Sequence, residues 1–510
     1  MEKYVFFIGG SGARVFRAFI HLCASGVIYS QEPVHAVILD VDGQNGDIAD
    51  AITLHKLYQW NYDQIHNQEV QGVLNILSQN RKNSWDSFRP FSSEIRLASQ
   101  GSGNFLDSMR GTNRITNLVN DINPMGDNAR VLKWFYTKDE REQPLDDGFF
   151  AHPNIGSIYF LALGGRFVEL TKQICASIRR GQEISVTIVG SMFGGTGAAG
   201  IPGIMRILEE ACNREGFVRE QIDLLHMSAV LVTPYFKVRP PIGGNIHINS
   251  DTFYGNTKSA LNFYSMRYRN RFERMYLVGQ DTLEYVSKEY ADGGSGQRNK
   301  PHIVELTAAL AVKDSWIPQE NASNGKIQEL IFHTKGKEPV FGWTTLDEEL
   351  FRLADMLRVQ FLVKTEIAPC ADGEFHGTPW YSRFKMENED PKVKLLTQYT
   401  DAFLEWMNQI QQRYDNTDSG QLIPDERITL VGPPLADLFG PDKEKARNNF
   451  IKLIDRGHDS TQAQTVSYKK NRPDRIMLDV AMVGGREKGL TKLGTIGLFI
   501  RLYHILSEKI

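Results

Sequence analysis

The chain has 510 residues, 41% of them apolar, with 58 basic and 61 acidic side chains and a formal net charge of −3. That length suggests roughly two to four domains' worth of chain with enough apolar residues for real cores. The near balance of charge argues against a global field for nucleic acid or membrane, and no Lys/Arg run is long enough to serve as a phosphate-binding arm.

Cys23, Cys175, Cys212 and Cys370 are far apart and form no CxxC, which argues against a disulfide framework or zinc knuckle and fits a reducing cytosol. "MEKYVFFIGG" passes straight into a strand and is not expected to be a signal peptide. The late apolar run "GTIGLFIRLYHIL" is broken by Arg501, so no membrane span is expected.

In chain order, "YVFFIG" reads as a strand, "GARVFRAFIHLCASG" as a helix, and "VHAVILDVD" as a strand of the near-continuous apolar kind found in parallel sheets. The polar stretch from Gln44 to about Ala98, with weak helical periodicity around "QGVLNILSQNRKNSW", reads as an insertion or elaborated loop. "SQGSGNF" is a glycine turn entering a helix near "LDSMRGTNRITNLVNDI". "SIYFLALGG", "EISVTIVG" and "LLHMSAVLVTPYF" read as further strands, with helices at "RFVELTKQICASIRR" and "IPGIMRILEEACNRE". "DTFYGNTKSALNFYSMRYRNRFE" reads as one long helix with Phe253, Leu261, Tyr264 and Tyr268 along one side. "RMYLVGQ" follows as a strand, "YADGGSGQRNKP" as a polar loop and "HIVELTAALAV" as a helix start. The remainder mixes helices with short strands such as "RITLVG" and "RIMLDVAMVG". The fold class expected from this alternation is α/β with a parallel sheet.

Glycine turns punctuate the strand ends. "FIGGSGARVF" puts Gly9, Gly10 and Gly12, with Ser11 and Ala13, between the first strand and the first helix, where backbone amides carry partial positive charge suited to a phosphate. The plain alternative is a turn that merely needs glycine to be tight. The Walker loop GxxxxGK[ST] is absent. The dinucleotide pattern GxGxxG fits Gly10 and Gly12 but meets Val15 at its third glycine, while Asp40 or Asp42 closes the second strand. A nucleophile elbow fails because Ala13 stands where glycine is required, so Ser11 is a poor nucleophile. Repetition of such turns after later strands points instead to backbone amides wrapping a phosphate chain.

The stretch Phe193-Gly194-Gly195-Thr196-Gly197-Ala198-Ala199-Gly200 resembles the GGGTG[ST]G loop of the tubulin/FtsZ superfamily of GTPases, with Phe193 in place of the first glycine and alanines in the last two variable positions. "GGSGAR", "LDVDGQ", "SQGSGN" and "VLVTPYF" are similar, in the same order, to other nucleotide loops of that family. The resemblance covers roughly residues 1 to 315 and implies a tubulin/FtsZ-like fold. Its expected parts are a nucleotide-binding domain at 1–250 with an insertion at about 44–98, a central helix at 251–272, and a mixed α/β assembly domain at 273–510.

The resemblance also implies site residues. Gly9, Gly10, Ser11, Gly12, Ala13, Gly194, Gly195, Thr196 and Gly197 would hold phosphates. Asp42 would stand near Mg²⁺, and Gly101, Gly103 and Asn104 near the γ-phosphate. Asn256, with Asn262 as fallback, would read the guanine edge, since a carboxamide both donates and accepts. In this family an acidic loop of the next subunit completes hydrolysis. In "NKPHIVELTAALA", Asn299 is displaced by one, His302 replaces an aspartate, and Glu305 keeps the +3 spacing, which implies Glu305 for water positioning with help from His302. A helix-entry glutamate suited to the macrodipole is the structural alternative, and Asp281 the weaker chemical one.

The function so implied is a GTP-binding, GTP-hydrolysing protein with GTP/GDP and Mg²⁺ as cofactors and itself as head-to-tail partner. The alternatives are a nucleotide-gated scaffold working with other operon-encoded proteins and hydrolysing little, or a dinucleotide-binding oxidoreductase.

Overall fold

The computed structural model describes residues 1–42, 44–79, 85, 88–97, 130, 133–142, 149, 153–162, 167–238, 250–268, 271–280, 283–286, 291, 294–317, 326–332, 341–342, 351–371, 377–387, 390–415, 420–425, 428–429, 450 and 472–508. Its centre is one seven-stranded sheet. The strands are β1 (Glu2–Ile8), β2 (Val34–Leu39), β3 (Ile95–Leu97), β4 (Ile184–Ser191), β5 (Leu225–Val232), β6 (Arg274–Gln280) and β7 (Lys326–Phe332). Their spatial order is β3-β2-β1-β4-β5-β6-β7, and every neighbouring pair is parallel. This is a doubly wound α/β arrangement: the chain builds outward from β1 in one direction, then returns to β4 and builds in the other.

Burial on both faces explains the apolar strand sequences. In β1, Val5 and Phe7 enter one core cluster, and Tyr4, Phe6 and Ile8 enter the cluster on the opposite face. The first cluster takes in α1 (Gly9–Ser25) and α2 (Gly46–His66), together with α3 (Gln68–Ser78). The second is filled by α4 (Pro153–Ala162), α5 (Val168–Arg179) and α6 (Gly195–Arg214). The crossover from β5 to β6 is α7 (Phe253–Arg267), and α8 (Ile303–Asp314) joins β6 to β7 while packing on α1. Four later helices, α9 (Phe351–Leu362), α10 (Pro391–Ile410), α11 (Pro473–Ala481) and α12 (Gly494–Glu508), share the first cluster with α1 and α2. No helix among the described residues is long and apolar enough to cross a membrane.

Four sequence expectations change. Within the stretch from Gln44 to Ala98, Gly46–Ser78 is not a loop: α2 and α3 stand between β2 and β3, and Asn45 and Asn67 cap the two helices. "SIYFLALGG" contributes to a helix, not a strand, because a short apolar run fits either period. There Gly156 lets α4 approach α6 so closely that an added Cβ would sit 2.6 Å from the Ala199 Cβ. "RIMLDVAMVG" starts as a helix with Pro473 in its first turn and Ile476, Met477 and Val480 buried at helical spacing.

The fourth change concerns the expected central helix at 251–272. It is a fifteen-residue crossover lying between two strands of the same sheet, so it does not divide one domain from another. The sheet itself runs on to Phe332, past the boundary expected at residue 273.

Candidate functional site

In a doubly wound sheet, ligands bind outside the carboxyl ends of the strands where the strand order reverses. Here that point lies between β1 and β4. Both strands run into a helix through a glycine turn: Ile8 into Gly9 of α1, and Ser191 through Gly194 into α6. In neither helix does the N-cap residue, Ile8 or Gly194, cap the first amides with its side chain. Two helix N-termini, with their first amides and positive ends, therefore lie side by side at the switch point, an arrangement that favours an anion.

The glycines differ in what they do. Gly9 adopts φ +74°, which lets β1 turn straight into α1, and a Cβ added to it would lie 3.5 Å from the Thr196 Cβ and 3.6 Å from the Gly197 nitrogen. The two turns thus close on each other across the switch point. Gly12 is held by packing: an added Cβ would meet the Phe7 carbonyl carbon at 2.7 Å. Gly197 is held the same way by the Ser191 backbone at 2.6 and 2.7 Å. Gly10 has ordinary contacts only, with Asn45 Nδ2 at 3.4 Å and Asp47 Oδ2 at 3.7 Å from an added Cβ. Gly10, Gly194 and Thr196 are half-buried and form the open side, whereas Ser11, Ala13 and Gly195 are buried.

Phe193, standing where the resembling loops have glycine, is 2% exposed and fills an aromatic group with Tyr235, Phe236 and Phe253. Ala198 is buried, and its carbonyl accepts a hydrogen bond from the Tyr264 hydroxyl at 2.6 Å. A serine hydroxyl at 198 would therefore point into protein. Asn256, half-buried in the first turns of α7, donates to the Phe193 carbonyl at 3.3 Å, which places it beside the loop. Asn262 lies further along the same helix on its exposed side. Gly101, Gly103, Asn104 and Asp281 lie outside the described residues.

At the end of β2, Asp40 and Asp42 are both buried. Asp40 accepts from the Thr196 hydroxyl at 3.3 Å and from the Val41 amide at 2.8 Å. Burial, with the charge of Asp42 adding to it, pushes the Asp40 carboxyl up to about 7. The Asp42 oxygens accept from the amides of Gln44 (3.0 Å) and Gly294 (2.7 Å). Among the described residues no group of three His, Cys, Asp or Glu could hold a metal. A paired carboxylate that resists ionisation suits a cation, and Mg²⁺ commonly takes one or two carboxylates plus ligand phosphates. These residues therefore fit Mg²⁺ only as a partner of a bound phosphate.

Glu305 and His302 lie elsewhere than the implied role requires. Glu305 is 1% exposed, inside the subunit. It accepts from Arg14 Nε at 2.6 Å, from the Tyr235 hydroxyl at 2.6 Å and from the His302 amide at 3.0 Å, forming a capping box at the start of α8. His302 is 3% exposed, caps the same helix through the Val304 amide, and meets Glu284 at 3.3 Å. In this arrangement neither side chain can reach a neighbouring subunit.

The residue that organises this cluster, Arg14, is absent from the sequence expectations. It joins Glu305 to Asp47 (2.8 Å), Ser11 (3.2 Å) and Tyr235 (2.8 Å). Burial opposes its charge, but Tyr235, Asp47 and Glu305 together hold the guanidinium charged beyond arginine's usual range. The available signal was an arginine inside the apolar stretch "GARVFRAF", directly after the glycine turn.

No known family model matches the chain, and no curated protein matches it.

Proposed function

We propose that this chain binds a nucleoside di- or triphosphate with Mg²⁺ at the switch-point crevice, in a tubulin/FtsZ-like manner, and that the nucleotide gates head-to-tail self-association. The observation that carries the phosphate is the pair of uncapped helix N-termini meeting across Gly9, Thr196 and Gly197. Guanine, the family architecture and self-association rest on the resemblance of the loops. When bound, Mg²⁺ would neutralise phosphate charge beside Asp40 and Asp42. The backbone of Gly9, Gly10 and Gly194–Gly197 would hold the phosphates, Thr196 would add a hydroxyl, and Asn256 lies at the rim for the base.

Of the two forms of this function, the one with little turnover is favoured by the burial of Glu305 and His302, which keeps these two side chains from positioning water for a neighbour. The test is equilibrium dialysis of the purified protein with GTP and with ATP, followed by sedimentation and phosphate release across a range of protein concentrations. Expected are retention of GTP over ATP, nucleotide-dependent sedimentation, and slow release of phosphate. Absence of nucleotide binding would overturn the proposal. Turnover that rises with protein concentration and persists in Glu305→Gln would restore interface hydrolysis through a different acid.

A further inference from the structure

Between β6 and α8 the segment Gly294–Asn299 lies across the start of α2 and against the β2–α2 turn, beside the proposed phosphate turn. Its contacts are dense for a surface segment. The Gly294 amide donates to Asp42 Oδ2 at 2.7 Å, and Asn45 Nδ2 donates to Gln297 Oε1 at 2.7 Å. The Asp47 amide donates to the Gln297 carbonyl at 3.1 Å. Asn299 then donates twice to Asp47, from its amide at 2.9 Å and from Nδ2 at 2.8 Å, and Arg298 pairs with Asp50 at 3.1 Å. Contact is close enough that a Cβ on Gly46 would sit 2.8 Å from the Ser295 carbonyl oxygen.

The groups gripped by this strap are also the ones that back the phosphate turn. Asn45 and Asp47 are the nearest atoms to the face of Gly10, and Asp47 is tied through Arg14 to Ser11 of the same turn and to Glu305 at the head of α8. A docked strap therefore braces Gly9–Gly12 from behind, while its own outer residues, Ser295, Gly296 and Arg298, remain exposed. Pre-ordering a binding loop removes an entropic cost of ligand binding, and linkage requires the ligand to favour the docked strap in return.

We infer that Gly294–Asn299 is a ligand-coupled strap, with Asn299 and Asp47 as positioning residues that hold the phosphate turn in its binding geometry. The inference rests on the proposed nucleotide site and assigns its regulation. Gly46→Ala tests it cleanly. Gly46 has an ordinary helical backbone, so alanine suits α2 itself and disturbs only the strap above it.

The full-length protein is treated with trypsin, and the peptide cleaved after exposed Arg298 is followed by mass spectrometry, with and without Mg²⁺ and a non-hydrolysable GTP analogue. Nucleotide affinity is measured separately by equilibrium dialysis. The expected result is several-fold slower cleavage at Arg298 with nucleotide. Gly46→Ala and Asn299→Ala should each cleave faster without ligand and bind the analogue about tenfold more weakly, a loss of about 1.4 kcal/mol. Unaltered cleavage at Arg298 in a protein that binds the analogue would overturn the strap and leave the nucleotide site standing. Unaltered affinity in both variants, with Arg298 released, would overturn the coupling. Failure of the wild type to bind the analogue defeats both ideas, and dialysis reveals it before any cleavage is compared.

Discussion

The two glycine turns at the switch point and the helix head at His302–Glu305 both begin a helix and both carry residues suited to chemistry, yet they meet their surroundings in opposite ways. At α1 and α6 no side chain of the N-cap residue takes up the first amides, so hydrogen-bonding capacity is left for a ligand. At α8 a capping box, an arginine and a tyrosine consume the carboxylate completely. Binding capacity resides where backbone donors are left unsatisfied, and the charged side chains nearby serve to fix the frame.

The most severe way to break this contrast is Arg14→Ala. It would leave Asp47 and Glu305 buried without their cation, and removing one partner of such a group costs about 3–5 kcal/mol. Urea unfolding monitored by circular dichroism would read the loss as a lower midpoint. An unchanged midpoint would mean that the cluster is not the frame described here.

The glycines sharpen the contrast among themselves. Gly197→Ala forces a Cβ into the Ser191 backbone and should cost about 1–3 kcal/mol of stability. Gly10→Ala meets no such contact and should be neutral or gain up to about 1 kcal/mol as a helix residue, yet lose nucleotide binding. Thermal melts paired with dialysis separate packing glycine from binding glycine. Equal effects of the two substitutions on both readouts would erase the distinction.

The smallest effect belongs to an ion pair far from either region. The hydrogen bond from His226 Nδ1 to Glu273 at 2.7 Å raises the imidazole above its usual 6.5, with burial opposing. A raised folded-state value gives stability that is full below pH 6.5 and fades as pH rises through that raised value. Both partners are about a third exposed, so Glu273→Gln should remove no more than about 1 kcal/mol at pH 5.5 and nothing at pH 9, measured by urea unfolding. An equal loss at both pH values would show that packing, not charge, is involved.

Much of the frame was legible in the chain. Continuous apolar runs at "YVFFIG", "VHAVILD" and "EISVTIVG" mark strands buried on both faces, and the glycines that follow mark where strand must turn at once into helix. Weak helical periodicity marks α3, whereas α2 is not legible because its apolar residues do not gather on one face. "SIYFLALGG" reads as a strand because a run of six apolar residues suits either period until a partner is known, and here the partner is α6.

By itself, then, the sequence determined the strand–helix alternation, the positions where backbone is left bare, and the acids that close β2, since these depend on residues adjacent in the chain. Only the tertiary structure decided that Arg14 would find Asp47 thirty-three positions away and Glu305 a further 258 beyond that, because an ion pair of that separation exists only once α1, α2 and α8 have packed. It likewise decided that Glu305 would face inward. A carboxylate's role follows from which cation burial brings to it, and no local spacing encodes that.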